Sequence, residues 1–206
     1  MKKKIIITGG LGYIGTELSK IYSGYSWYHK IIVIDQRFIS ERVNQLRNWG
    51  IEFIQGDILD KELIKKYLNK ADIVHHLAGV TKVARTSKEI NVQNDNKIDQ
   101  VASEGTQNII SAISDSCKII FPSTHVVYEG IQSTKHEIIE EEPTLPTLVY
   151  ATGKVKNEKQ IKNSGKKYVI LRLGSVYGYS TDTTRFDIMP NLFCNIASQN
   201  KVIKLF

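Results

Sequence analysis

A glycine-rich turn within the first fifteen residues constrains the fold more than any other feature of the sequence. Three isoleucines at positions 5–7 are typical of a buried strand, and apolar residues at helical spacing follow the turn. Between them, Gly9, Gly12 and Gly15 have the spacing G-x-x-G-x-x-G. In a strand–turn–helix unit such glycines permit a tight bend and let unpaired N–H groups at the helix start approach a pyrophosphate. The stretch therefore predicts a dinucleotide site; the alternative is a tight turn that binds no ligand.

An acidic residue follows the second predicted strand, where the ribose of a dinucleotide would lie. Residues 31–34 are apolar, and Asp35 ends the run. A carboxylate at this place accepts hydrogen bonds from ribose hydroxyls and repels a 2′-phosphate. We therefore expect NAD as the cofactor in preference to NADP, and Arg37 is the neighbour that could weaken this preference.

The rest of the chain alternates short apolar strands with amphipathic helices. Further strands are predicted at 51–55, 72–79, 118–121 and 167–173, and helices at 40–48, after Asp60, at 97–114 and at 150–163. Residues 129–147 are polar and acidic and contain two prolines, which predicts a loop. This alternation predicts the α/β class, with a Rossmann-type doubly wound parallel sheet and helices on both faces.

The composition limits the classes of partner. The formal net charge is +7, but the basic residues are scattered, so we expect a solvated surface and no nucleic-acid partner. The apolar stretches are too short for a transmembrane helix or a secretory signal, so no membrane partner is expected. Cys117 and Cys194 show no pairing pattern and are predicted to be reduced core thiols of a cytoplasmic protein. No metal site is predicted.

A tyrosine and a lysine lie one turn apart in the predicted helix at 150–163. Tyr150 and Lys154 are at positions i and i+4, which places both on one face. The unperturbed pKa of a phenol is about 10, and a nearby ammonium and a cationic nicotinamide would both lower it. Such a tyrosine can take a proton from an alcohol while hydride leaves for the nicotinamide. An exposed Tyr–Lys pair without function is the alternative.

A hydroxyl residue, Thr124, follows the fifth strand. Ligands of doubly wound sheets bind beyond the carboxyl ends of the strands. A hydroxyl there can bind the reacting oxygen and help to orient the tyrosine, although an ordinary helix cap has the same appearance.

Several motifs occur in the order found in one enzyme family. They are T-G-G-x-G-x-I-G at residues 8–15, G-D-[ILV] at 56–58, H-x-A-[AG] at 76–79, G-T-x-N at 105–108, S-[ST]-x-x-V-Y at 123–128, Y-x-x-x-K at 150–154 and, with Ser in place of its Asn, L-R-x-x-N-V-Y-G at 171–178. With these motifs, the sequence resembles the extended short-chain dehydrogenase/reductase family, and within it the NAD-dependent nucleotide-sugar epimerases and dehydratases. The resemblance covers nearly the whole chain.

The resemblance implies NAD as the cofactor, a nucleotide-sugar substrate and three sets of functional residues. The catalytic set is Thr124, Tyr150 and Lys154; the cofactor-binding set is Gly9, Gly12, Tyr13, Ile14, Gly15, Asp35, Asp57, Ile58, Leu77, Ala78, Gly79, Tyr150 and Lys154; the substrate-binding set is Thr124, His125 and Ser175.

The resemblance also implies an assembly and a domain organisation. The helices predicted at 97–114 and 150–163 correspond to those that pair in the dimers of the family, so a homodimer is expected. Residues 1–180 are expected to form the NAD-binding domain. Residues 181–206 would start a truncated substrate-binding domain, most of which is absent.

Two departures from the family's pattern concern hydrogen bonds. Ala102 stands where the family usually has Asn, so a cofactor-side or structural hydrogen bond is either missing or supplied by Asn91 or Asn94. Ser175 replaces the Asn of N-V-Y-G, which weakens a contact to the sugar diphosphate.

A third departure concerns the reaction. Dehydratases of the family carry an Asp-Glu pair after the catalytic Thr, whereas this chain has His125 and Val126, which argues against dehydration. His125 is then either a substrate contact or a packed or solvated histidine. We therefore expect a 4-epimerase. The alternatives are a one-way reductase or dehydrogenase of a keto sugar or alcohol, and an NAD-binding protein without catalytic activity.

Overall fold

Six parallel strands form one sheet, and helices cover both of its faces. The computed structural model of the chain describes residues 1–80, 92–132, 137–180 and 184–203, without the side chains of residues 92–95. The strands are β1 (Lys4–Thr8), β2 (Lys30–Asp35), β3 (Glu52–Gln55), β4 (Ile73–His76), β5 (Lys118–Thr124) and β6 (Lys167–Leu173), in the spatial order β3-β2-β1-β4-β5-β6. This is the strand order of the doubly wound dinucleotide-binding fold, so the predicted fold class is confirmed.

The helices lie between the strands in sequence. They are α1 (Tyr13–Ser23), α2 (Ser40–Asn48), α3 (Lys61–Leu68), α4 (Val92–Gln100), α5 (Thr106–Ala112), α6 (Val149–Lys162) and α7 (Met189–Ser198). As predicted, the Asp60 side chain caps α3 by accepting a hydrogen bond from the Leu63 N–H at 3.0 Å.

Two buried clusters, one on each face, hold the helices to the sheet. Successive residues of a strand point to opposite faces, so Ile6 packs in one cluster while Ile5 and Ile7 pack in the other. The Ile6 cluster includes residues of α3, α5 and α6, and the other cluster includes residues of α1 and α2.

The strand order reverses between β1 and β4, and this reversal determines where a ligand can bind. From β1 the chain proceeds to β2 and β3 on one side, and then returns to add β4, β5 and β6 on the other. Ligands of open α/β sheets bind in the crevice outside the carboxyl ends of the strands at such a reversal. Thr8, His76 and Thr124 are the last residues of β1, β4 and β5.

The long helix predicted at 97–114 is wrong in its start, its end and its regularity. The structure has α4, then a π-helical turn at Val101–Gly105, then α5, which ends at Ala112. Inside the turn the Ser103 hydroxyl donates to the Asp99 carbonyl at 2.9 Å, a contact that bends helices. The side-chain amide of Asn157 donates a hydrogen bond to the Ala102 carbonyl at 2.6 Å. These side-chain contacts take the place of regular helical hydrogen bonds.

The two cysteines differ from each other. Both are free thiols, but Cys117 is buried, whereas Cys194 on α7 is exposed. The prediction of two core thiols is therefore wrong for Cys194, because α7 buries only Asn191 and leaves this thiol at the surface. Among the described residues, no helix has the length and apolar character needed to cross a membrane.

Candidate functional site

The glycine-rich turn after β1 packs so tightly against neighbouring backbone that a side chain at Gly9 or Gly15 would not fit. Gly9 has a φ of 68°, a conformation that favours glycine, and a Cβ there would lie 2.7 Å from the Ala78 nitrogen. A Cβ on Gly15 would lie 2.5 Å from the Gly10 Cα. Helix α1 follows with Gly12 as its N-cap and no side-chain cap. The first N–H groups of α1, which include those of Tyr13, Ile14 and Gly15, therefore have no capping side chain at the place where a pyrophosphate binds.

The phenol of Tyr13 has a partner far along the chain. It donates to the Gly178 carbonyl at 2.6 Å. Tyr13 is also predicted as a cofactor contact, and this bond occupies its hydroxyl proton.

The loop after β4 provides open space next to the glycine-rich turn. Leu77, Ala78 and Gly79 follow this strand, and a Cβ on Gly79 would meet no atom within 4 Å. On the other side of the sheet reversal, Ile58 is buried, and the Asp57 carboxylate accepts from the Leu59 N–H at 3.0 Å. A cradle that side chains would fill, together with an uncapped helix start, fits a dinucleotide.

Asp35, the predicted ribose ligand, is buried and already bonded. It is 5% exposed and accepts from the Leu11 N–H and from the Arg37 N–H, Nε and Nη2, each at 3.0 Å. The hydrogen bonds to Asp35 raise the pKa of Arg37. Because Arg37 neutralises Asp35, the repulsion of a 2′-phosphate is weaker than the carboxylate alone would produce.

The predicted catalytic residues belong to the end of β5 and to α6, which packs beside it. Thr124 is the last residue of β5, and its Oγ1 accepts from the Val126 N–H at 3.3 Å. Lys154 donates to the Pro122 carbonyl at 2.7 Å and lies 4.4 Å from the centre of the Phe121 ring and 5.8 Å from that of Tyr150. The ammonium therefore lies between the end of β5 and the Tyr150 ring.

The pKa values of the pair show the effect of burial. Burial lowers the pKa of Lys154 to about 8, although the Glu158 carboxylate opposes this shift. Burial raises the pKa of Tyr150, and the cation that opposes this shift is Arg185. In the chain alone the loss of hydration thus outweighs the nearby positive charge, whereas the predicted lowering of the Tyr150 pKa also involves the nicotinamide cation.

The predicted substrate contacts lie at the edge of this site. His125 is exposed, and its Nδ1 is 3.1 Å from the Leu173 carbonyl. It lines an open cavity of about 500 Å³ that Tyr128, Glu140 and Arg172 also line. Ser175, which follows β6, is exposed.

A buried polar chain that the sequence analysis missed connects β1 to α6. Thr8 Oγ1 lies 3.1 Å from His76 Nδ1, and His76 Nε2 lies 2.9 Å from Thr106 Oγ1. The Asn157 amide contacts Thr106 Oγ1 and also the Ala102 carbonyl. The substitutes expected for the Asn missing at Ala102 are not tested, because Asn91 and the side chain of Asn94 lie outside the described residues.

A buried ion pair was also missed. Glu158 and Arg172 lie behind the end of β5, with Arg172 Nη2 2.7 Å from Glu158 Oε2. Glu158 follows Lys154 by four residues and Tyr150 by eight. Residues three or four apart share one face of a helix, so this spacing indicated that Glu158 lies on the same face as the Tyr–Lys pair.

A sheet with this strand order and a glycine-rich turn at its reversal defines a dinucleotide-binding α/β protein. The Tyr–Lys pair of α6 beside the end of β5 narrows the class to the extended short-chain dehydrogenases and reductases. Residues 5–206 match the NAD dependent epimerase/dehydratase family, and the chain belongs to that family. The assignment of NAD is confirmed at the level of the family.

Curated relatives support the same conclusion. The chain is 31% identical to a UDP-glucose 4-epimerase of Mycoplasma genitalium over 93% of its own length and 59% of that protein. It is 28% identical to a dTDP-D-glucose 4,6-dehydratase of Dictyostelium discoideum over 97% of its own length and 49% of that protein. The chain thus spans about half to three fifths of the length of these relatives.

Solved structures have the same fold. The UDP-glucose 4-epimerase of Brucella ovis in complex with NAD superposes with a TM-score of 0.69 at 26% identity, over 87% of this chain and 54% of that one.

Proposed function

We propose that the protein is an NAD-dependent nucleotide-sugar epimerase of the 4-epimerase type. The observation that carries this proposal is that Lys154, with Tyr150 beside it on α6, is bonded to Pro122, two residues before Thr124 at the carboxyl end of β5. A proton acceptor, a cation and a hydroxyl at that edge are what transient oxidation of a sugar alcohol needs. The 4-epimerase relatives in both comparisons support the same reading.

Each of the three side chains has a separate task in this proposal. Tyr150 takes the proton of the sugar 4-hydroxyl and returns it after the sugar has turned. Lys154 holds the nicotinamide ribose and adds the positive charge that favours the phenolate. Thr124 hydrogen-bonds the sugar oxygen. When bound, NAD accepts the hydride and gives it back to the other face, so it is not consumed.

The binding residues follow from the geometry of the sheet reversal. Gly9, Gly12, Gly15 and the N–H groups that begin α1 hold the pyrophosphate, and Asp35 holds the adenosine ribose. Asp57 and Ile58 border the adenine, and Leu77, Ala78 and Gly79 leave room for the cofactor beside the turn. His125 and Ser175 contact the nucleotide sugar.

Dehydration is the second reaction that the relatives suggest, since a dehydratase is among them. His125 and Val126 occupy the positions at which the resemblance implies an Asp-Glu pair in dehydratases. Neither side chain offers the carboxyl groups for elimination of water, so epimerisation is favoured. A one-way reductase would instead consume its cofactor stoichiometrically.

The organisation of the whole protein is part of the proposal. Residues 1–180 form the NAD-binding domain, and residues 181–206, of which 181–183 and 204–206 lie outside the described residues, begin the substrate-binding domain. Two copies pair through α4–α5 and α6 into a homodimer. Light scattering of the full-length protein at micromolar concentration should give twice the monomer mass, and a monomer mass would contradict the pairing.

Turnover by the full-length protein tests the proposal. UDP-glucose, UDP-galactose and their N-acetyl forms are supplied without added NAD, and the products are separated by chromatography. We expect interconversion of a 4-epimer pair with the cofactor retained by the protein. Net reduction of the nicotinamide during turnover would identify a dehydrogenase instead.

Substitution of the proposed general base, Tyr150, tests its role more directly than the turnover assay does. Tyr150→Phe keeps the ring and should retain the fold and NAD, whereas turnover should fall by about 100- to 10,000-fold, the usual contribution of a general base. Tyr168→Phe removes the hydroxyl of an exposed tyrosine on β6 and is the matched control. Equal activity of the two variants would overturn the assignment of Tyr150.

A further inference from the structure

Glu158 is a buried carboxylate on α6, one helical turn beyond Lys154. Only 3% of the residue is exposed. Arg172 of β6 binds it in a bidentate manner, with Nε to Oε1 at 3.0 Å and Nη2 to Oε2 at 2.7 Å. The Ser123 hydroxyl donates to Oε1 at 2.5 Å. Burial alone would raise the pKa of Glu158, but the hydrogen bonds from Arg172 and Ser123 outweigh it and hold the pKa below its usual value.

A buried ion pair of this kind needs an explanation other than stability. Removing two charges from water costs nearly as much as their attraction returns, and apolar residues of similar size are often at least as stable. What such a pair does provide is a fixed geometry for the elements that carry it. Here those elements are β5, β6 and α6.

The bond to Ser123 fixes the part of β5 that enters the site. Ser123 lies between Pro122 and Thr124, and side chains alternate along a strand, so Ser123 and Thr124 point to opposite faces. The Pro122 carbonyl accepts from Lys154 at 2.7 Å. Helix α6 therefore holds the end of β5 at two successive residues, through Glu158 on Ser123 and through Lys154 on Pro122.

Arg172 extends the same network to the segment beyond Thr124. Its Nη1 contacts the Tyr128 hydroxyl and donates to the Glu140 carbonyl at 2.9 Å. The guanidinium carbon also lies 5.1 Å from the centre of the Tyr128 ring. The turn His125–Tyr128 and the loop around Glu140 are thereby tied to Glu158.

We propose that Glu158 is a positioning residue of the active site: through Ser123 and Arg172 it sets the end of β5 against Lys154 and Tyr150, so that Thr124 and the Tyr–Lys pair meet one substrate. The inference rests on the proposed function, because it concerns the residues to which that function is assigned. It assigns no contact with substrate or cofactor to Glu158 itself.

The expected consequence of losing the charge is a misplaced site in a folded protein. Glu158→Gln keeps the shape of the side chain, but it leaves Arg172 without its counter-charge and weakens the hold on Ser123. A displacement of about 1 Å at reacting groups can cost about 100-fold in rate. Binding of the substrate diphosphate and of NAD uses other residues and should change little.

Kinetics of the full-length, NAD-loaded protein test this expectation, with the 4-epimer pair on which the wild type acts. We expect Glu158→Gln to lower kcat by about 10- to 100-fold, with KM and NAD affinity within about threefold of the wild type. Lys162→Gln is the matched control, because Lys162 also lies near Glu158, at 3.7 Å, but half-exposed. It should keep kcat within about twofold. A native kcat per folded site in Glu158→Gln, with only the melting temperature lowered, would overturn the proposal.

A second measurement needs no substrate. The groups that face Lys154 are Glu158 and Tyr150 from α6, His76 from β4, and the Phe121 ring and Pro122 carbonyl from β5. Loss of the Glu158 charge should move the titration of ¹³C-labelled Lys154, assigned by its absence in Lys154→Met, to lower pH. Lys162→Gln should leave this titration in place. An unmoved titration in Glu158→Gln would count against the inference.

The two measurements separate failure of the inference from failure of the proposed function. If the wild type converts no nucleotide sugar, the proposed epimerase is wrong, and an unmoved Lys154 titration would still overturn the inference about Glu158. If Glu158→Gln does not fold, Ser123→Ala takes its place, because it removes one hydroxyl and leaves the ion pair. It should shift the Lys154 resonance and lower kcat at least about fivefold; a wild-type resonance and rate would overturn the proposal.

Discussion

His76 is buried and hydrogen-bonded through both of its ring nitrogens, and its burial makes the stability of the fold depend on pH. It lies between Thr8 and Thr106. Burial, with a smaller effect of Lys154, lowers its pKa to about 3, and burial lowers the pKa of the neighbouring His75 to about 4. Both imidazoles are therefore neutral in the folded protein at neutral pH, whereas in the unfolded chain they titrate near pH 6.5.

The sign of the pH dependence follows from proton uptake. Between pH 6.5 and the folded pKa values the unfolded chain binds more protons, so stability falls as the pH falls. Each such histidine contributes up to about 1.4 kcal/mol per pH unit. We expect His76→Gln, which can still bond one threonine, to reduce the slope of the unfolding free energy between pH 4.5 and 6 by about 1 kcal/mol per pH unit. Urea unfolding at several pH values measures it; parallel slopes for both proteins would contradict the neutral, buried His76.

At the same scale, the sequence predicted the residues that belong to motifs and missed those that only support them. Tyr150, Lys154 and Thr124 could be proposed from the sequence because of their spacing and their position at a strand end. Ser123 and Glu158 belong to separate elements, and only the folded sheet brings them to 2.5 Å. The pairing of Asp35 with Arg37 was suspected from their proximity in sequence, but its bidentate geometry depends on the bend after β2.

The turn between β1 and α1 is the element whose geometry depends most on glycine. In Gly9→Ala the new methyl group would lie 2.7 Å from the Ala78 nitrogen on a backbone with a φ of 68°. Backbone strain and collision with the β4 loop act together, so we expect a loss of more than about 2 kcal/mol in stability. NAD binding should be lost as well, because the loop that moves is the predicted cofactor cradle.

Gly165 provides the control for this substitution. It has a similar φ of 72°, but a Cβ there would meet no atom within 4 Å. Gly165→Ala should therefore show only the backbone cost, about 1–2 kcal/mol, with NAD binding retained. Denaturant unfolding and NAD titration of both variants make the comparison. Equal losses of stability would mean that the close approach of Gly9 to Ala78 contributes nothing.

Elements whose pattern lies within a short stretch of sequence were predicted well, and elements that depend on distant contacts were not. Helix α2 has the predicted bounds, and β2 and β6 match their apolar runs. Strand β5 is longer than predicted, because Pro122, Ser123 and Thr124 continue its pairing with Leu171, Arg172 and Leu173 of β6. The π-helical turn was missed because its cause, the Asn157 amide on the Ala102 carbonyl, comes from a helix 55 residues away.

At the scale of the whole molecule, two contacts tie the C-terminal part of the chain to the start of α1. The Tyr13 phenol donates to the Gly178 carbonyl at 2.6 Å, and the Ser180 hydroxyl donates to Glu17 Oε1 at 2.5 Å. Asn191 of α7 supports the segment, since its amide oxygen accepts from the Gly178 N–H at 2.9 Å. The segment around Gly178 therefore lies beside the helix start at which the cofactor pyrophosphate is proposed to bind.

This arrangement predicts that Tyr13 slows the escape of the cofactor. Tyr13→Phe keeps the ring and removes one hydrogen bond, which is worth about 1 kcal/mol. Without this bond the Gly178 segment is held less tightly against the start of α1. We expect NADH to leave the full-length protein about fivefold faster, with the unfolding free energy lowered by no more than about 1 kcal/mol.

Tyr177→Phe, at an exposed neighbouring tyrosine, is the control and should leave both quantities unchanged. Stopped-flow fluorescence of bound NADH chased with excess NAD measures the rate. If Tyr13→Phe releases NADH as slowly as the control does, the Gly178 segment takes no part in retaining the cofactor, and its contact with Tyr13 serves only to dock the C-terminal part of the chain.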